Sequence, residues 1–499
     1  MTPTDPRDPR GYAADAPLFE AWLRFMADVR DGRTMPFSIP GHKHHRDLVG
    51  DVIAGDVPML AGLDTMKQDH ALLATAEARA AEAWGADWCR LSVGGSTHAN
   101  QASVLALGRP GQSVIVSRTL HRSVLLGLVL AGLRPVWVHP SIDAATGLPG
   151  SVPVAAVEAA LAANPDACGV LVGDPSYVGT MSDIAGLADA AHAAGVPLVI
   201  DAAWAAYFGF SPSVPDHALG RGADALITSA HKTLPAWSQS ALLLARTTRS
   251  GGLLDPDRLE RGFEASATTS AAGAILASAD ASRALLQRDG AELIGRLVEL
   301  VAVARAALSA IDGVEVLVDR PATHPDGPLA VDPAKLVVLL AGTGAHGHAI
   351  ESDLLAEGMT LEMADRDVLV PIITLADDET TVARLVETLT AAIERHRGEP
   401  RRITASAAWS VRAETAIPPR DAFFAPHETV RADAATGRIC AELIAPYPPG
   451  VPVLAPGEIV TAEALDALRA TRADGGRIAY AADPTLATVQ VVTEPSPVE

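Results

Sequence analysis

The amino-acid sequence predicts an α/β fold with a mostly parallel sheet covered by helices. From about Thr75 onward, helix-like and strand-like segments alternate, as they do when helices connect parallel strands. Helical segments such as DIAGLADAAHAAG (183–195) separate most of the strands. The predicted strands are short apolar runs: SVIVS (113–117), PVWVHP (135–140), CGVLVGDP (168–175), PLVIDAA (197–203), ALITSA (225–230) and ALLLAR (241–246).

The last two of these strands break the alternation. About ten residues lie between them, which is too few for the crossover helix of a parallel pair. We therefore expect an antiparallel pair, connected by a loop within SAHKTLPAWSQSA (229–241). This places Lys232 past the carboxyl end of a strand, at the edge where open α/β sheets bind ligands.

The rest of the chain indicates further domains. A long helical stretch (280–311) leads to strands such as KLVVLLA (335–341), and a charged segment interrupted by proline (393–405) is typical of a linker. The predicted domains are an N-terminal arm (1–74), a large domain (75–312), a small α/β domain (313–400) and a C-terminal α+β module (401–499).

Composition excludes several classes of partner. The chain has 499 residues and a formal net charge of −21, which disfavours nucleic acid and anionic membrane surfaces. Its most apolar stretch (123–133) is too short to span a bilayer, and the N-terminus has no apolar signal-peptide core. Cys89, Cys168 and Cys440 are few and widely spaced, which favours a reducing compartment, and we expect a cytoplasmic protein.

The first motif with chemical potential is VGGSTHANQ (93–101). Two glycines precede Ser96 and Thr97 at the expected start of a helix, where exposed N–H groups and the helix dipole can bind a phosphate. A glycine-containing turn before a helix is more often a turn without a ligand. The motif alone leaves both interpretations open.

Three further side chains follow predicted strands. Asp201 ends the apolar run PLVI, where it could cap a helix or stabilise a positive charge on a bound ring. Lys232 could be a solvated surface group or a partly desolvated amine able to form a Schiff base. His121, after SVIVS, could be structural or part of a site.

These residues make more sense together than apart. Pyridoxal 5′-phosphate (PLP) requires a phosphate anchor, a partner for its pyridine nitrogen and a lysine for its aldehyde. The order Ser96/Thr97, His121, Asp201, Lys232 matches the fold-type I PLP enzymes, which have an aspartate aminotransferase-like large domain. The combination predicts a PLP enzyme of this fold type.

Longer motifs resemble one family, the Orn/Lys/Arg decarboxylases, in their short form without an N-terminal wing domain. The resemblance runs over nearly the whole chain after the first thirty or so residues, and it is carried by these segments: PGHKHH (40–45), GGSTHANQA (94–102), LHRSV (120–124), DPSYVGTMSDI (174–184), DAAWAAYFGF (201–210), SAHKTLPAWSQSA (229–241), FFAPHETV (423–430) and PYPPGVPVLAPGE (446–458). The last two belong to the C-terminal module of this family.

The resemblance implies a role for each candidate residue. Lys232 would bind the PLP aldehyde, Asp201 would pair with the pyridine nitrogen, and His121 would stack on the ring. His231 would help to place the substrate adduct and is a possible proton donor. The phosphate ligands would be Ser96, Thr97 and Ser229, with Trp204 also at the cofactor site.

The implied reaction is decarboxylation of a basic L-amino acid. Trp204 favours lysine, giving cadaverine and CO₂, with ornithine and arginine as alternatives, and Glu458 is a candidate for binding the distal nitrogen. Another fold-type I enzyme (an aminotransferase or aldolase) and a non-catalytic PLP-fold regulatory protein remain alternatives. The resemblance also implies a homodimer or higher homo-oligomer with the active site at the subunit interface. We expect no metal, because the histidines of GHKHH (41–45) lie too close together for a tetrahedral site.

Overall fold

The computed structural model describes residues 15–33, 42–44, 47, 50–57, 59, 71–401, 411–447 and 450–493. Its helices are α1 (Pro17–Arg30), α2 (Ala71–Ala83), α3 (Gly95–Leu107), α4 (Arg122–Ala131), α5 (Val154–Ala163), α6 (Ile184–Ala193), α7 (Ala230–Thr233), α8 (Pro256–Glu264), α9 (Gly273–Ser309), α10 (Gly347–Ala356), α11 (Glu379–Arg395), α12 (Pro419–Phe424), α13 (Ala432–Ala435) and α14 (Ala462–Ala473). Its first strands are β1 (Trp88–Ser92), β2 (Ser113–Ser117), β3 (Arg134–Val138), β4 (Val170–Gly173), β5 (Thr180–Met181), β6 (Leu198–Asp201), β7 (Ala225–Ser229) and β8 (Ala241–Ala245). The later strands are β9 (Glu315–Val316), β10 (Ala330–Val331), β11 (Val338–Leu339), β12 (Met363–Ala364), β13 (Val368–Val370), β14 (His427–Arg431), β15 (Ala445–Tyr447), β16 (Arg477–Ala479) and β17 (Thr488–Val492).

The described residues fall into two compact units. The first is drawn from Met1–Ala106 and Val199–Ile294, and the second from Leu107–Leu198 and Gly295–Glu499. In the first unit the strands are ordered β1, β8, β7, β6. Strands β6 and β7 are parallel, whereas β8 is antiparallel to both β7 and β1. The predicted antiparallel pair is confirmed, and every residue of β7 and β8 is buried.

The described residues of the second unit form several groups of strands, among them a two-stranded pair of β5 and β10. Strand β2 lies between β4 and β3 and is parallel to both, and all five of its residues are buried, as expected for an apolar run in a parallel sheet. A second sheet, ordered β12, β13, β11, β9, is antiparallel throughout. The described residues of the C-terminal module, 411–447 and 450–493, pair β14 with β17 and β15 with β16 around a core that includes Ile444, Leu454 and Leu465.

Several predicted elements differ in extent from the observed ones. Helix α9 begins at Gly273, seven residues before the predicted stretch, and only Val338 and Leu339 of the predicted strand 335–341 form ladder pairs. The predicted loop containing Lys232 begins as the helical turn α7. The backbone N–H groups of Ala230 and His231 both donate to the carbonyl of Ser240, which closes the connection into a tight turn. The boundaries between the four predicted domains stay a prediction.

Within the described ranges, no helix is long and apolar enough to cross a membrane.

Candidate active site

Lys232 lies on the helical turn that follows β7, in the first unit. Its side chain is half-buried, and its Nζ atom lies 4.1 Å from the centre of the Trp204 ring. Trp204 follows the carboxyl end of β6, the parallel neighbour of β7. The structure therefore brings these two predicted site residues together. The indole face covers one side of the amine and reduces its exposure to water.

The ring of His231 is held by a hydrogen bond to Ser240, in the same connection between β7 and β8. Its Nδ1 atom lies 2.9 Å from the carbonyl oxygen of Ser240. Because a carbonyl oxygen only accepts, Nδ1 carries the hydrogen in this contact, and a neutral ring then has its acceptor at Nε2. We infer from this that Nε2 is the atom of His231 that can take up or deliver a proton.

Asp201 is the last residue of β6, and its carboxylate is buried and held from two sides. Asn100 Nδ2 on α3 donates to Oδ2 at 2.7 Å, and the backbone N–H of Ala203 donates to Oδ1 at 3.2 Å. Both donors are neutral, so they orient the carboxylate without cancelling its charge. The sequence analysis missed Asn100, although it follows Ser96 by four residues and thus lies on the same face of the helix.

We expect Asn100→Ala to lower catalytic efficiency by about tenfold, because it removes a hydrogen bond to a buried carboxylate that must keep one orientation. Steady-state kinetics at saturating cofactor would measure this loss. Asn164→Ala is the matched control, since Asn164 donates to the Ala160 carbonyl at the end of α5 in the second unit. Equal efficiencies for the two variants would contradict the assigned role of Asn100.

The two serines predicted to bind phosphate meet at the start of α3. Ser96 Oγ lies 2.7 Å from Ser229 Oγ, and both residues are buried. Ser229 precedes α7, but its side chain makes no capping hydrogen bond there. Thr97, next to Ser96, is exposed. Two hydroxyl groups and the N-terminus of a thirteen-residue helix thus form a donor-rich corner suited to a phosphate.

The double-glycine turn before Ser96 packs against the lysine segment. Gly95 has a φ angle of +68°, which favours glycine, and its N–H donates to the carbonyl of Gln239 at 2.8 Å. A side chain at Gly94 would place its Cβ 2.8 Å from the Cβ of His98. His98 is buried between Ser92 and the Phe263 carbonyl, and this burial lowers its pKa. The glycines therefore let the phosphate corner and the segment after β7 share one hydrogen-bonded framework.

His121 and Glu458 belong to the second unit. His121 follows β2 and is the N-cap of α4, where its Nδ1 accepts from the N–H of Ser123 at 3.2 Å. Glu458 is 1% exposed, and both of its oxygens bind the guanidinium of Arg118, one of them at 2.9 Å. The distal-nitrogen role of Glu458 stays a prediction. The ion pair weighs against this role, because Arg118 already neutralises the charge of the Glu458 carboxylate. The sequence did not single out Arg118.

In the part of the chain that the structure describes, no three His, Cys, Asp or Glu side chains are grouped to hold a metal ion. Of the GHKHH segment, only His42, Lys43 and His44 are described.

Comparison with known proteins identifies the family. Residues 17–381 match the major domain of the Orn/Lys/Arg decarboxylases, and residues 404–475 match their C-terminal domain. The chain belongs to the Orn/Lys/Arg decarboxylase family. Members of this family are amino acid decarboxylases, which are lyases, so the resemblance and the predicted class of enzyme are confirmed.

Individual relatives agree with this assignment. An arginine decarboxylase from Halalkalibacterium halodurans is 33% identical over 468 residues, which cover 92% of this chain and 94% of that protein. The crystal structure of the lysine decarboxylase LdcF from Francisella novicida has a TM-score of 0.79 at 20% identity, covering 96% of this chain and 81% of that one. A structure of SPT with PLP has a TM-score of 0.50 at 17% identity, covering 64% of this chain and 76% of that one. These structural likenesses confirm the predicted fold class.

Proposed function

We propose that this decarboxylase uses PLP to remove the α-carboxylate of a basic L-amino acid. The observation that carries the proposal is the arrangement at the carboxyl ends of two parallel strands. Asp201 ends β6, Ser229 ends β7, and Lys232 follows one helical turn later. The Ser96 hydroxyl meets Ser229 at the helix start beside them. An oriented carboxylate, an amine and a phosphate corner therefore lie at one edge of one sheet.

The residues of this edge fit PLP. Ser96, Thr97 and Ser229 would hold its phosphate, Asp201 its protonated ring nitrogen and Lys232 its aldehyde carbon. The resemblance supports His121 as the residue that stacks on the ring. When bound, PLP supplies an electron sink for the pair of electrons that remains at Cα after CO₂ leaves.

The side chains of this chain have separate tasks in that reaction. When PLP is bound, Asp201 would keep a positive charge stable at the ring nitrogen through its buried and oriented carboxylate. The amine of Lys232 would hold the cofactor in the resting enzyme and would return to release product. A proton for Cα can come from the Lys232 amine or from Nε2 of His231, whose other nitrogen is committed to Ser240.

Two observations point to different basic substrates. Trp204 supports lysine through the resemblance. The relative that is 33% identical is an arginine decarboxylase, and the match covers nearly the full length of both proteins. We propose arginine as the first substrate to test, because the relative matches the whole chain and the Trp204 inference depends on one residue. Lysine is the second candidate.

A substrate panel tests the reaction type. The purified protein with added PLP and 2-oxoglutarate as an amino acceptor is incubated with L-arginine, L-lysine or L-ornithine, and agmatine, cadaverine, putrescine and the keto acid formed from each substrate are quantified. We expect one amine to form in preference to the other two, without keto acid. Keto acid without amine would establish an aminotransferase instead, and no product from a PLP-loaded protein would support the regulatory alternative.

The proposal also includes an oligomeric state and a cellular location for the protein. The resemblance supports a homodimer or larger homo-oligomer with the active site at the subunit interface. The three cysteines are free thiols, which supports a cytoplasmic protein. Analytical ultracentrifugation tests the assembly, and a monomer with full activity would contradict it.

A further inference from the structure

The ion pair between Arg118 and Glu458 connects distant parts of the second unit. The two residues are 340 positions apart in the chain, and they are 5% and 1% exposed. Besides both Glu458 oxygens, the guanidinium binds the carbonyl oxygen of Val453, and the Glu458 carboxylate also accepts the N–H of Ala455. A buried pair with this many partners fixes the relative position of the two backbone segments that carry it.

Two further side chains, Trp137 and His139, lie close to the Arg118 guanidinium. Its guanidinium stacks 4.7 Å from the centre of the Trp137 ring. His139 is nearby, and burial, with the charges of Arg118 and Arg412, lowers the pKa of His139 to about 4. That imidazole is therefore neutral at neutral pH and adds no second positive charge beside Arg118.

Arg118 begins the short connection from β2 to His121. Its N–H donates to the Val138 carbonyl at 2.8 Å, and the next hydroxyl, of Thr119, lies 2.7 Å from that of Ser117. Two residues after Thr119, His121 caps α4. The connection is thus four residues long, and the ion pair to the C-terminal module holds its first residue.

The C-terminal module also contacts α4 along its length. The Arg122 guanidinium lies 4.2 Å from the centre of the Tyr480 ring. In the middle of the helix, Leu125 packs with Leu443 and Ala455. At the far end, Arg420 donates to the carbonyl oxygens of Val129 and Leu130. The helix that His121 caps therefore rests on the C-terminal module at both ends and at its centre.

We propose that Arg118 and Glu458 are positioning residues through which the C-terminal module sets the place of His121. This inference rests on the proposed function, in which His121 stacks on the PLP ring. It gives the C-terminal module a role in cofactor binding. It also gives Glu458 a role through Arg118 rather than through the substrate.

The central variant is Glu458→Gln, and its matched control is Glu442→Gln. Glu442 is also a buried glutamate of the C-terminal module, but its oxygens accept from the backbone N–H groups of Ala482 and Gln490 within that module. Four quantities are compared: the melting temperature, the PLP dissociation constant, the visible circular dichroism of bound PLP, and the rate at which diethyl pyrocarbonate modifies His121 in the PLP-free protein. The last quantity requires neither cofactor nor turnover.

We expect Glu458→Gln to raise the PLP dissociation constant by about tenfold, the scale of loss that a displaced site residue can cause. The circular dichroism of bound PLP should weaken, and His121 should react several-fold faster. Glu442→Gln should leave these three quantities at the wild-type values even if its melting temperature falls as far. Equal behaviour of the two variants would overturn the proposal and leave the pair a purely structural one.

If Glu458→Gln does not fold, a double variant can distinguish loss of the positioning role from loss of folding stability. Arg118→Met with Glu458→Leu removes both charges, and such replacements are often tolerated in stability. We expect the double variant to fold, to bind PLP more weakly than the wild type, and to show faster modification of His121. Wild-type values for both would overturn the positioning role while leaving the proposed function intact. Wild-type protein that binds no PLP would overturn the proposed function, and the positioning role with it.

Discussion

Lys232→Ala is expected to lower the decarboxylation rate by about 10³-fold or more, because it removes the proposed anchor for the cofactor aldehyde and one of the two candidate proton donors. The measurement is amine formation at saturating substrate and PLP. Lys232→Arg is the matched control for charge, since it keeps a cation beside Trp204 but has no amine that can bond to an aldehyde. We expect the two variants to be equally inactive.

Chemical trapping of the cofactor tests the assignment of Lys232 without requiring turnover. The chain contains four lysines, Lys43, Lys67, Lys232 and Lys335, so reduction of the PLP-loaded protein with borohydride followed by peptide mass spectrometry can assign the modified residue. We expect the label on Lys232. A label on another lysine, or activity retained by Lys232→Arg, would contradict the assignment.

Asp201→Asn is expected to reduce turnover by about 100-fold, because a neutral amide cannot stabilise a positive charge at the ring nitrogen as a carboxylate does. The variant is nearly isosteric, so PLP should still bind, and the loss should be in kcat rather than in cofactor content. Steady-state kinetics together with visible absorbance of the bound cofactor would separate the two.

Asp224→Asn is the control for this substitution. Asp224 is a buried aspartate in the same unit, located just before the amino end of β7, and it accepts the N–H of Leu253. Its replacement should affect thermal stability but not kcat. If both variants lose turnover in proportion to their loss of stability, Asp201 has no electrostatic role.

The sequence predicted the parts of the site that follow from local pattern. The apolar runs before Asp201 and Ser229 are strands, and short apolar runs of this kind are typical of strands buried in a parallel sheet. The short spacing after β7 required an antiparallel return, and the antiparallel pairing of β7 with β8 is observed. Together these two facts located Lys232 at the ligand edge.

The parts that were missed depend on contacts between distant residues. Asn100 supports Asp201 from 101 positions away, and Arg118 meets Glu458 across 340 positions, so no local period reveals either pair. At the start of the helical turn that carries Lys232, the N–H groups of Ala230 and His231 donate to the Ser240 carbonyl, about ten residues later. In each case the partner is chosen by the tertiary fold rather than by neighbouring residues.

The most direct test of the central claim is release of labelled CO₂ from a basic amino acid carrying an isotope label at its carboxyl carbon. L-Arginine, L-lysine and L-ornithine are each supplied to the PLP-loaded wild-type protein and to Lys232→Arg. We predict labelled CO₂ in equal molar amount to the amine for the wild type, and none for the variant. Consumption of substrate with the label retained in the organic product would contradict the account.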